Sequence, residues 1–133
     1  MFVAAALKGE RFHERAHKVL ASISREGPVM SEHVLVETWA VIRRRAGYAI
    51  AETFLSGLRG TPMRIEPVLA ADLERAIAIG ELWADQEFDF VDRTSFAVME
   101  RLGISRAATF DRDFAVYRFG PDRRNAFEVL PLL

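Results

Sequence analysis

Residues Phe88 to Phe114 read FDFVDRTSFAVMERLGISRAATFDRDF, and their order of elements decides the fold. From Asp92 onward, Ser95, Phe96, Met99 and Leu102 recur at three- and four-residue spacing and Gly103 follows, which predicts a helix opened by Asp92 and closed by a glycine cap. Arg106 to Phe110 is short and apolar enough for a buried strand, and Asp111 comes directly off its end. The two carboxylates, Asp92 and Asp111, are thereby predicted at a helix start and at a strand's carboxyl end. In open α/β sheets that edge is where ligand sites gather, so the pair is a candidate metal site. The same positions also suit plain structural work, since Asp is a common N-cap and a common turn former.

Outward from this stretch, strand candidates at 28–30, 63–68, 106–110 and 127–130 alternate with helical segments. That alternation predicts an α/β fold in which a parallel sheet is covered by helices on both faces. The first helical stripe runs over 11–25, where His13 and His17 stand four apart; no further ligand completes a set, and they are read as structural. Ser31 is a candidate N-cap for a helix ending near Gly47. Within it, Glu37 has Val34 three residues before it and Ala40 and Val41 three and four after it, so it is expected to face the core. A buried carboxylate needs compensation, either from a buried arginine or from a metal or catalytic role. Arg43, Arg44 and Arg45 complement the negative end of that helix, with RNA contact as a second reading. Further helices are predicted around Ala51–Leu58 and Leu73–Ala84, and Asp113 follows Asp111 by two residues.

Composition narrows the classes. With 133 residues and a net charge of −1, a single domain over 1–133 with a sizeable core is expected. Of 18 basic residues only Lys8 and Lys18 are lysine, and arginine grips phosphate and stacks on bases. Cysteine is absent, which removes disulfides, thiolate ligands and cysteine nucleophiles. No membrane span or signal peptide is predicted, and the expected setting is cytoplasmic. No phosphate-binding glycine loop supports a phosphotransfer domain of another α/β type.

The blocks SEHVLVETWAVIRRRAG, DFVDRTSFAVMERLGI and AATFDRDF, in this order and spacing, resemble the PIN-domain family, in particular VapC-like toxins of bacterial type II toxin–antitoxin systems. The resemblance implies a PIN-like three-layer sandwich and a metal-dependent endoribonuclease using Mg²⁺ or Mn²⁺. It places Glu37, Asp92 and Asp111 in the catalytic and metal-binding acidic blocks, adds Asp113 as a further metal ligand, and gives Thr94 and Ser95 auxiliary roles near the site. It further implies an RNA substrate, a cognate antitoxin protein and a homodimer. The family's first strand and first acid are not found before FVAAALKGERFHERA, so the domain is expected to be N-terminally incomplete. The competing expectation is a catalytically impaired PIN-like domain that binds antitoxin or RNA.

Overall fold

A strand and a helix meet at Ser31, in the first of two units into which the chain divides, 1–66 and 67–133. The computed structural model describes residues 21, 26–109 and 111–130. Met1–Leu7, most of the helix expected over 11–25, His13 and His17 lie outside the described residues, as does the expectation of a missing first strand.

In the first unit, β1 (Val29–Ser31) runs parallel to β2 (Arg64–Glu66), with Met30 opposite Ile65. Between them lie α1 (Glu32–Ala46) and α2 (Tyr48–Arg59), which pack on each other. Ser31 caps α1 as expected: its hydroxyl accepts from the Val34 N–H at 3.2 Å, satisfying a donor that the helix cannot. The chain turns between the helices at Gly47, whose φ of 97° excludes most side chains, while the Gly47 N–H donates to the Arg43 carbonyl. Helix α1 buries Thr38 and Ile42, one turn apart. Glu37 is exposed, which corrects the expectation that it faces the core. One residue step rotates a helix by roughly 100°, so Glu37 leaves the buried line that Thr38 and Ile42 define.

The second unit contains α3 (Ala70–Leu82), α4 (Phe90–Leu102), β3 (Arg106–Ala108), α5 (Asp113–Val116), β4 (Arg118–Phe119), a 3₁₀ turn (Pro121–Arg123), β5 (Asn125–Ala126) and β6 (Glu128–Leu130). Strands β3 and β6 are parallel, with Ala107 opposite Val129. The hairpin β4–β5 is antiparallel and was not foreseen, because two-residue strands carry no readable alternation. The four expected strands are all present: the first is shifted by one residue to Val29–Ser31, the other three are shorter, and the strand expected over 106–110 ends at Ala108. These parallel strand pairs among helices form an α/β fold.

Helix α4 is the centre of this unit. Instead of one apolar stripe, five consecutive residues, Thr94 to Val98, are buried, more than a full helical turn. Phe96 is 0% exposed and stacks on Tyr117 with ring centroids 4.4 Å apart, while Phe88, Phe114 and Phe127 close around it. Gly103, at φ 68°, ends the helix as predicted. Helices α3 and α4 are joined by an ion pair between an exposed arginine and a buried acid. The Asp72 carboxylate, 3% exposed, accepts from Arg101 Nε at 3.0 and 3.1 Å and from Nη2 at 3.0 Å, and it also accepts from the Leu69 N–H at the start of α3. Burial alone would raise its pKa, but the Arg101 and Leu69 hydrogen bonds prevail and hold it below the ordinary carboxylate value. Tyr117 donates to Glu100 at 2.9 Å, and burial followed by that carboxylate's charge raises its pKa.

Candidate metal centre

Asp89, not Asp92, caps α4: its carboxylate accepts from the Val91 N–H at 3.1 Å, and the helix begins at Phe90. Asp92 therefore occupies the third helical position, facing the same end of the helix. The spacing Asp89-x-x-Asp92 is that of a cap and its partner acid, a signal that the sequence carried and that went unread. Asp111 is set by a turn. Its N–H donates to Thr109 Oγ1 at 3.0 Å, and its own Oδ1 accepts from the Asp113 N–H at 2.9 Å, which fixes both acids at the start of α5.

The fold brings Asp92, Asp111 and Asp113 together. One carboxylate oxygen from each lies within 4.8 Å of the others. This group is formed wholly within the second unit; Glu37 belongs to α1 of the first. Thr94 and Ser95 lie one turn along α4 from Val91, and both hydroxyls donate to the Val91 carbonyl, at 2.8 and 3.0 Å.

Electrostatics set Asp92 apart. Its pKa is pushed up to about 8, first by burial, then by the hydrogen bond and charge of Asp111 and by the charges of Asp113 and Asp89. The positive end of α4 opposes this, but a helix terminus contributes only about 0.3–1 kcal/mol at such a position, less than one pKa unit. Desolvation and two adjacent carboxylates prevail. Asp113 is also raised, by burial and by the charge of Asp111. The cluster thus lacks positive charge and gains it from a proton or a cation. Three oxygen donors suit a hard divalent ion: oxygens at about 2.1 Å from Mg²⁺ stand at most about 4.2 Å apart, which small side-chain rotations reach from the present separation. The residues fit such an ion.

The sign of the pH dependence follows. Asp92 has a folded pKa of about 8 against an ordinary 3.8, so the folded state holds a proton that the unfolded chain has released. That contribution to stability is full below the ordinary value and is lost as pH rises through 8. The metal-free protein is expected to melt at a lower temperature at pH 8 than at pH 5, with the difference on the order of 1–3 kcal/mol after allowance for solvent screening. Millimolar Mg²⁺ is expected to flatten the profile. Thermal unfolding across pH, with and without the ion, measures both, and a flat metal-free profile would contradict the charge assignment.

Comparison with known proteins gives the family. The chain belongs to the PIN-domain family, whose model matches residues 1–120. It is VapC-like. It is 38% identical over 119 residues to the 23S rRNA-specific endonuclease VapC20 of Mycobacterium tuberculosis, in strain CDC 1551 and in strain H37Rv, with 84% of each chain covered. The crystal structure of Mycobacterium tuberculosis VapC20, described as a Sarcin-Ricin loop cleaving toxin, superposes with a TM-score of 0.79 at 35% identity, covering 86% of this chain and 88% of that one. Among the described residues no helix is long and apolar enough to cross a membrane.

Proposed function

We propose that this protein is a metal-dependent endoribonuclease, a VapC-like toxin that cuts RNA at the centre held by Asp92, Asp111 and Asp113. The observation that carries the reading is the convergence of these three carboxylates, one of them raised to about 8, in a chain similar to a 23S rRNA endonuclease. When bound, Mg²⁺ or Mn²⁺ supplies a Lewis acid that polarises the scissile phosphate and offsets charge on the leaving oxygen.

The chain's own residues do the rest. Helix α4 presents Asp92 at its first turn with Asp89 holding the helix start, so the carboxylate is aimed before any ligand arrives. The turn at Thr109 and Asp113 does the same for Asp111. In this reading Glu37, exposed on α1, is a further ligand or orients the attacking water. Thr94 and Ser95, tied to the Val91 carbonyl, serve as auxiliary groups that hold the first turn of α4 in place. Release of Asp92's shared proton accompanies binding of the cation, so cleavage is expected to increase toward alkaline pH.

The substrate that the relatives suggest is an rRNA loop of the sarcin–ricin type, and the reading includes a cognate antitoxin, a homodimer and a cytoplasmic setting. A sedimentation coefficient of a single chain at micromolar concentration would remove the dimer. The test of the function is incubation of the purified chain with an RNA carrying that loop, in Mg²⁺, Mn²⁺ or EDTA. Discrete cleavage with either ion and none with EDTA is expected; cutting that persists in EDTA would overturn the metal mechanism.

A further inference from the structure

The corner between α1 and α2 carries a group that the cleavage centre does not use. Trp39 and Tyr48 stand edge-on, with ring centroids 6.2 Å apart and planes at 88°. The Arg43 guanidinium carbon lies 5.6 Å from the Trp39 ring centre and 5.8 Å from that of Tyr48. The positive φ of Gly47 makes this possible, because it starts α2 at Tyr48 directly beside the last turn of α1. Arg43, Arg44 and Arg45 are all exposed, and Tyr48 is 59% exposed. Over 40–60 the chain has four arginines against one acid, Glu52, which accepts a hydrogen bond from the Tyr48 side chain.

Two effects already explain part of this group. Cations in the last turn complement the helix dipole, and the two rings relieve some of the crowding of three successive charges. Neither accounts for a large aromatic ring left open to solvent at the centre of a cationic surface. An exposed ring with arginine planes beside it is how proteins hold unpaired nucleotides: bases stack, and guanidinium groups take phosphates. The surplus of positive charge is complementary to a polyanion.

We infer that the α1–α2 corner is an RNA-contact surface in which Tyr48, with Arg43 and Trp39, stacks an unpaired base, while Arg43 and Arg44 take the adjoining phosphates. The inference rests on the ribonuclease reading for its choice of ligand, and it assigns to the first unit a share in substrate binding separate from the acidic centre. A loop substrate, with bases splayed out, is the kind of RNA that such a surface recognises.

The full chain carrying Asp92→Asn, which suppresses cleavage, is titrated into a fluorescent single-stranded oligoribonucleotide of about 12 nucleotides, and anisotropy is read over a range of salt. Adding Tyr48→Ala is expected to weaken binding about tenfold, whereas Tyr48→Phe, which keeps the ring, binds like the parent. Adding Arg43→Gln with Arg44→Gln is expected to weaken binding and to reduce the slope of log affinity against log salt by about 1.4. Since Tyr48 is largely exposed, Tyr48→Ala should leave the unfolding midpoint in place and keep the test interpretable. Unchanged affinity in both the alanine and glutamine variants, or no binding by the parent, overturns the inference. A fall in sedimentation coefficient with RNA affinity unchanged also overturns it and assigns the surface to a second copy of the chain. A wild-type chain that binds this RNA through Tyr48 and cuts nothing would sink the ribonuclease reading and leave the surface standing.

Discussion

Asp92→Asn is expected to reduce RNA cleavage on the order of 10³-fold, because a cation that has lost one of its carboxylates forfeits several kcal/mol of transition-state stabilisation. The same substitution is expected to make the metal-free protein more stable. Asp92 is pushed up to about 8 by burial and by Asp111, Asp113 and Asp89, so at neutral pH the folded chain must hold a proton there that the unfolded chain releases, a cost that a neutral amide does not carry. The rise in melting temperature on adding Mg²⁺ should shrink or vanish in the variant. Opposite signs for activity and stability are what separate a ligand from a structural cap. Asp89 makes the contrast, since it accepts the Val91 N–H, and Asp89→Ala is a loss of helix cap with a cost of about 1 kcal/mol. If Asp92→Asn lowered metal-free stability by as much, the carboxylate would be a structural acid and the centre would lie elsewhere.

Phe96→Ala is expected to cost about 3–5 kcal/mol, the largest stability effect of any single truncation in the second unit. Phe96 is fully buried in a helix whose middle is buried all round, and it contacts Phe88, Phe114, Tyr117 and Phe127. The four surrounding rings, packed on one another, cannot collapse into the space it leaves, so the cavity term adds to the lost transfer energy. With an m-value of about 1–3 kcal/mol/M, the urea midpoint should fall by roughly 2 M. The site should suffer too, because Phe88 adjoins Asp89 and Phe114 adjoins Asp113, and both rings pack on Phe96. A midpoint change of less than about 0.5 M would mean that the aromatic cluster is not the core it is taken to be.

What the sequence alone determined was local. The Ser31 cap, the glycine end of α4 at Gly103, the four parallel-strand segments and the place of Asp92 in the first turn of α4 were legible, because caps, periodicity and turn chemistry act within a few residues, although Asp89 proved to be the cap and Asp111 follows a turn beyond its strand. The family blocks extended that reading to a PIN-like fold and to an expected set of Glu37, Asp92, Asp111 and Asp113, of which the fold brings the three aspartates together.

Only the tertiary structure decided the rest. Ser95, Phe96, Met99 and Leu102 read as one stripe, yet all of Thr94 to Val98 is buried, because burial depends on which elements surround a helix. Glu37 looked core-facing from its apolar neighbours in sequence, yet Thr38 and Ile42 take the buried line and leave it exposed. The meeting of Arg43 with Tyr48 required the turn at Gly47, whereas Trp39 and Arg43 are one helical turn apart on α1. Above all, the charge state of Asp92 was fixed in three dimensions: desolvation and the approach of Asp111 and Asp113 depend on distances between residues that the chain's order does not specify.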